Sequence, residues 1–262
     1  MSTPAFRTIL YTVADHVATI TLNLPDRKNV IGVEMANELV VAVDEAAGDA
    51  NVRAIVLTGA GSVFCAGGDL AGMPTGSDAH KPLAMRGDFG ALLIRLAEIE
   101  KPTVARVQGP AMGGGLGLLA SCHIAIACES ATFATPEIKR GFFPFMISAV
   151  LERVMPRRKM MEMILLGEKM SAHEAREAGL LTRVVPDSEL DAIVSNIARS
   201  LAELSPSAVR TGLSALQDNV DSSLRDSVPR LRDALIAALA TEDAREGIAA
   251  FLEKRKPNWT GR

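Results

Sequence analysis

The stretch QGPAMGGGLGLLASCHIAIA, residues 108–127, sets three consecutive glycines between a Pro-Ala-Met segment and a short apolar run. Glycine inside a regular element costs about 0.5–1 kcal/mol relative to alanine. Three together imply a backbone geometry that side chains would obstruct. One reading is a dinucleotide fingerprint, because Gly115, Gly117 and Ala120 fit G-x-G-x-x-G/A and an acidic residue, Glu137, follows at roughly the expected distance. Its context fails: the apolar strand at 123–128 begins before a helix of useful length can form, and Glu137 lies beyond that strand instead of at its end. A second reading is a tight strand-to-helix turn without chemistry. A third is a cradle for negative charge, in which unhindered glycine N–H groups at a helix N-terminus point at a developing anion.

Another glycine loop separates the last two readings. SVFCAGGDL, residues 62–70, also follows a continuous apolar strand and carries small residues where backbone must approach a ligand. Two such loops can each aim one N–H at a single carbonyl oxygen, which is the arrangement of an oxyanion hole.

Working outward, β-rich runs at 7–13 and 17–22 flank Ala14-Asp15-His16 and predict a hairpin. Apolar spacing predicts a helix over 33–47 that ends at Gly48. Short apolar strands are predicted at 52–58, 102–107 and 123–128, with a helix ending near Glu100 between the first two. Strand, glycine loop and helix in alternation indicate an α/β fold. SAHE, residues 171–174, reads as a capping box. From about residue 187 the pattern is helical throughout, with segments at 187–204, 206–219, 223–240 and 241–254. The chain therefore divides into a core over 1–190 and a helical region over 191–262.

Composition excludes several classes. With 28 basic and 31 acidic residues the net charge is −3, so no strong field favours nucleic acid or an anionic membrane. No apolar run approaches the ~20 residues of a membrane span. The N-terminal MSTPAFRTILYTV lacks the charged and apolar regions of a signal peptide. Cys65, Cys122 and Cys128 have neither disulfide-scaffold numbers nor metal-site spacing, so a cytoplasmic chain with reduced thiols is expected. His16, His80, His123 and His173 are dispersed, with no metal-ligand spacing, and neither a G-x-S-x-G element nor a P-loop is present.

Four stretches, VRAIVLTGAGSVFCAGGDL, KPTVARVQGPAMGGGLGL, ATFATPEIKRG and FLEKRKPNW, occur in an order that resembles the enoyl-CoA hydratase/isomerase (crotonase) superfamily over nearly the whole chain. The resemblance implies a crotonase-like spiral core of ββα units, a helical C-terminal trimerisation region, and commonly a dimer of trimers. It implies acyl-CoA thioester substrates whose enolate is held by two backbone N–H groups, here those of Gly68 and Gly114 by motif position, with coenzyme A as part of the substrate and no separate cofactor. Glu137 matches a catalytic carboxylate of the family; its bland reading is a solvated surface glutamate. Positions matching coenzyme A contacts are Lys28, Ala66, Gly68, Asp69, Leu70 and Gly114, with Phe251 and Lys254 reaching a neighbouring subunit's ligand. Arg27 stands at the family position beside the adenine but reads more readily as part of a solvated face.

Two departures matter. Family hydratases generally carry a first glutamate where this chain has Gly117. Two carboxylates suit hydration, one orienting water while the other delivers a proton to the α-carbon; a single one suits moving a proton from one carbon to another. Against a pure isomerase, PEIKRG and SAHEAREAGLLTRVV resemble bacterial proteins of the hydratase branch, some of which carry Gly at the first position. Hydration of a 2-enoyl-CoA is thus the first expectation, Δ3–Δ2 isomerisation the alternative, and a non-catalytic acyl-CoA-binding protein a second alternative. The other departure is FFPFM, residues 142–146, where many members have a Pro-Gly-x-Gly-Gly segment. Phe145 and Met146 are then either core residues or, with Gly117, part of a reshaped acyl pocket. No Asp occurs there, which argues against a dehalogenase-type nucleophile.

Overall fold

The computed structural model describes residues 5–69 and 83–262. Strands β1 (Ile9–Ala14) and β2 (Val17–Leu22) form the expected hairpin, turned by Asp15 and His16 at φ 48° and 64°. Positive φ at both turn residues matches the right-handed twist of the flanking strands. Helix α1 (Val33–Gly48) leads to β3 (Ala54–Gly59), and α2 (Phe89–Glu98) to β4 (Thr103–Val107). The glycine stretch then yields β5 (Ala111–Met112) and the seven-residue α3 (Gly114–Ala120), followed by β6 (Ile124–Cys128) and β7 (Thr132–Ala134). Next come α4 (Phe145–Val154), α5 (Arg157–Leu166), β8 (Met170–Ser171), α6 (Ala172–Glu177) and β9 (Arg183–Val185). The chain closes with α7 (Leu190–Ala202), α8 (Pro206–Gln217), α9 (Leu224–Leu239) and α10 (Glu242–Glu253). The capping box at Ser171 and Glu174 is present in both directions.

Two sheets organise the body. The larger has the order β1-β2-β3-β4-β6-β9, parallel except for the opening hairpin. The smaller has the order β5-β7-β8. Every residue of β3 is buried, as a parallel strand covered on both faces requires. Helix α7 buries Leu190, Val194, Ala198 and Ala202 at four-residue spacing across β2, β3, β4 and β6. Its sequence reads as the first helix of the tail, yet its packing belongs with the core.

Helices α8 to α10 differ. Helix α9 buries no residue, and Leu224, Leu235, Ile236 and Leu239 stay exposed along it. One buried carboxylate ties this region shut. Asp243 Oδ2 accepts hydrogen bonds from the Ser205 and Ser207 hydroxyls at 2.8 and 3.0 Å, and Oδ1 accepts the N–H groups of Thr260 and Gly261 at 2.8 and 3.0 Å. Burial works to raise its pKa, but these donors prevail and hold it at about 2. Trp259 lies against Gly247 and donates its indole N–H to the Glu203 carbonyl at 2.8 Å. Among the described residues, no helix is long and apolar enough to cross a membrane.

Candidate active site

The loop after β3 is held by side chains from outside it. Asn29, fully buried at φ 55°, accepts the Leu24 N–H at 2.9 Å and donates to the Ala60 and Val63 carbonyls at 2.9 and 2.8 Å. Gln108 donates to the Gly59 and Val63 carbonyls at 2.7 and 3.0 Å. These bonds satisfy loop carbonyls that no strand partner reaches. Further on, residues 66–69 run beside 28–31. Ala66 N–H donates to Lys28 O at 3.0 Å, Ile31 N–H to Gly67 O at 2.8 Å, and Asp69 N–H to Ile31 O at 2.9 Å. The Arg27 guanidinium fixes the end of this run on Asp69 at 2.6 Å. Gly68 N–H is left without a hydrogen bond among the described residues.

The second glycine loop docks on the first, with Phe64 N–H donating to Pro110 O at 3.0 Å and Met112 N–H to Cys65 O at 2.8 Å. The three glycines have different reasons to be there. Gly113 adopts φ 50° and ψ −118°, outside the range of other residues. The space of its missing side chain is filled by the Glu137 carboxylate, since a Cβ there would clash with Oε1. Gly115 packs on Cys65, where a Cβ would lie 2.7 Å from the Cys65 carbonyl oxygen. Gly114 opens α3, so its N–H is one of the helix's unpaired donors. A Cβ at Gly114 would stand 3.6 Å from Gly68 N, so the two free amides are neighbours.

Glu137 rides on a short 3-10 helix, Pro136–Arg140, that ends at Gly141 with φ 85°. This half-buried residue differs from a solvated surface glutamate. Its Oε2 is screened from solvent and accepts no hydrogen bond. Burial raises its pKa above the usual carboxylate range, while a backbone hydrogen bond and the nearby Arg140 oppose that rise. A carboxyl group so placed holds a proton more readily than an exposed one and can take and return one.

These groups meet in a cleft of about 310 Å³. Ala66, Gly68, Gly114, Glu137, Phe145 and Met146 all line it, together with Arg140. Phe145 is 76% exposed and Met146 56%, so neither is a core residue. Lys28 and Asp69 adjoin the site through the backbone bonds to Ala66 and Ile31, whereas Leu70 lies outside the described residues. Phe251 and Lys254, at the end of α10, do not line the cleft of their own chain. Gly117 does not line it either. It is buried at a helix crossing, where a Cβ would come within 2.5 Å of Ile147 Cγ2 and 3.4 Å of Leu93 Cδ2. The place of a first glutamate is therefore filled by an isoleucine from α4, which corrects the assignment of Gly117 to an acyl pocket.

Asn29, Gln108, Arg140 and Ile147 are the residues that sequence reasoning missed. A larger cavity of about 570 Å³ lies between α1, α2, α7 and α8. Two of its cations are already engaged: Arg95 pairs with Asp44 at 2.8 Å, and Lys101 donates to the Ala46 and Asp49 carbonyls at 2.7 Å each. The smaller cleft combines free amides with a shielded acid and is the better site for chemistry.

Known proteins carry the same plan. The sequence matches the family described as Enoyl-CoA hydratase/isomerase over residues 12–262. It is 38% identical over 258 residues to a probable enoyl-CoA hydratase of Mycobacterium tuberculosis, covering 98% of this chain and 99% of that one. The human mitochondrial enoyl-CoA hydratase domain-containing protein 3 is 33% identical over 248 residues, with 94% of this chain and 81% of the relative covered. The crystal structure of an enoyl-CoA hydratase/isomerase from Mycobacterium paratuberculosis superposes with a TM-score of 0.86 at 34% identity, covering 98% and 100% of the two chains. The α/β core with its helical C-terminal region is thus the crotonase fold. From its sequence and its fold alike, the chain belongs to the enoyl-CoA hydratase/isomerase, or crotonase, superfamily.

Proposed function

We propose that this enzyme adds water reversibly across the double bond of a 2-enoyl-CoA through an enolate held by Gly68 N–H and Gly114 N–H. The observation that carries this reading is the Glu137 carboxylate seated against Gly113, beside two neighbouring amides that donate to nothing among the described residues. Glu137 takes a proton from water as the water oxygen bonds to the β-carbon. The electron pair of the double bond moves onto the thioester oxygen, where two preorganised donors stabilise the charge. Glu137 then returns its proton to the α-carbon, so one water is added and the carboxylate is regenerated. Coenzyme A enters as part of the substrate, and no separate cofactor is proposed.

A second reading is favoured by Gly117. Glu137 is the one carboxylate lining the cleft among the described residues, and Ile147 occupies the place of another. A lone carboxylate suits Δ3–Δ2 isomerisation, in which Glu137 removes a proton from C2 of a 3-enoyl-CoA and returns it to C4. Absorbance of the conjugated thioester separates the readings. Loss with crotonyl-CoA means hydration, gain with a 3-enoyl-CoA means isomerisation, and neither means a binding protein.

The proposal includes assembly in multiples of three, most simply six, in a cytoplasmic setting. Exposed Leu235, Ile236 and Leu239 on α9 supply an apolar face for such an interface. Phe251, 82% exposed, and Lys254 then serve a neighbour's coenzyme A.

A further inference from the structure

Arg140 is three residues beyond Glu137 on one 3-10 helix, where residues i and i+3 eclipse. The turn that aims the acid at the cleft therefore brings a guanidinium to the same cleft, and both residues line it. Arg27, by contrast, is spent on Asp69. Arg140 makes no hydrogen bond or ion pair among the described residues, and it exerts a Coulombic pull on Glu137. The wall beside it is apolar, formed by Phe142, Phe143, Phe145, Met146 and Ile147. Packing a plain hydrocarbon chain against a guanidinium strips water from the charge without replacing its hydrogen bonds. A carboxylate on the acyl chain replaces them in the bidentate geometry that arginine favours. It also places the cation between Glu137 and the second negative charge.

We infer that Arg140 selects acyl thioesters bearing a second carboxylate, the aromatic wall holding the short hydrocarbon spacer between the two ends. This rests on the acyl-CoA reading above and narrows its substrate class.

Equilibrium binding of glutaryl-CoA and pentanoyl-CoA, which share an acyl length and undergo no reaction here, tests it apart from turnover. The wild type should bind the glutaryl ester about tenfold or more tightly. Arg140→Met should bring that ratio to about one, and Arg140→Lys should keep part of it. Arg140 is exposed, so these variants do not challenge the fold. An equal ratio in wild type and Arg140→Met overturns the inference. So does an equal weakening of both esters and free coenzyme A by Arg140→Met, because the guanidinium then holds the coenzyme's phosphates. If the wild type binds none of the three, the thioester reading fails and takes this inference with it. A preference abolished by Arg140→Met in a protein that turns over no enoyl-CoA upholds the inference and defeats only the proton-transfer reading.

Discussion

On one side of the cleft, the glycine loops are held by bonds from Asn29, Gln108, Lys28 and Ile31, and their backbone has one geometry available. On the other side, residues 142–146 stand at the start of α4 with Phe142, Phe145 and Met146 exposed to solvent. Backbone groups do the work on the first wall and side chains on the second. On the function proposed above, the fixed wall holds what every thioester shares, its carbonyl oxygen. The open wall meets what varies, the acyl chain. Rigidity is placed where charge develops, because donors that need no reorganisation stabilise it best.

Glu137 sits where the walls meet, and its removal gives the largest expected effect. Glu137→Gln should lower kcat by about 10²–10⁴-fold, the usual contribution of general acid–base catalysis, while acyl-CoA affinity stays within several-fold. Steady-state kinetics with calorimetric binding checks this, and a wild-type rate would move the chemistry elsewhere. The same carboxyl group sets a pH dependence. Because burial raises its pKa, kcat/KM should fall with acid through a limb above the ordinary carboxylate range. Arg140→Met removes an opposing charge and should move that limb to higher pH. In stability the sign reverses: a raised carboxylate pKa means that ionisation costs the folded state. Glu137→Gln should therefore melt no lower than wild type at pH 8, with any gain vanishing as the pH falls below the unfolded value of about 4.3.

Two smaller effects test the packing and the hydrogen bonds behind the cleft. Gly117→Ala drives a methyl into Ile147, and overpacking of this kind costs about 1–3 kcal/mol. Thermal melting should show the loss, and adding Ile147→Ala should recover part of it, whereas unchanged melting of the single variant would show that α4 yields freely. Asn29→Ala leaves the Ala60 carbonyl without its donor, the Val63 carbonyl with Gln108 alone and the Leu24 N–H without its acceptor, and should cost about 1–3 kcal/mol, with kcat falling more than KM rises. A change in KM alone would separate the loop from the oxyanion site. The smallest effect is at the tail. Lys254→Ala should raise KM for CoA esters several-fold through a lost charge-assisted contact in a neighbouring subunit. A fully active monomer in sedimentation, with KM unchanged by Lys254→Ala, would remove that role.

The sequence was most legible where local rules and the fold agree. A β-rich run placed β2, short apolar runs placed β3, β4 and β6, and the capping chemistry of Ser171 and Glu174 was visible in four letters. The region between Glu137 and β9 was less so. Helix α4 packs on α3, α5 on α4 and on the 3-10 helix that carries Glu137, and the two-residue β8 on β7, contacts that have no local signature. Asn29 carried a readable cue, since asparagine is enriched at positive φ, but its value lies in carbonyls more than thirty residues away. Gly117 looked like vacant space because a sequence does not show what stands opposite. Ile147 is thirty residues on and reaches it only across a helix crossing.

Asp243 has a consequence for the tail as a physical unit. Its carboxylate joins the start of α8 to the chain's final residues, so α8, α9 and α10 form a loop with both ends fastened at one point. Such a loop opens by releasing that fastening, and its amides should exchange with solvent as one cooperative block with a shared opening free energy. The fastening persists in mild acid and is lost only as the pH falls from the unfolded value of about 3.9 towards the folded one of about 2. The chain's one tryptophan, Trp259, sits two residues from the bonds to Gly261 and rests on α10. Its fluorescence is therefore a built-in optical gauge of whether the tail is closed.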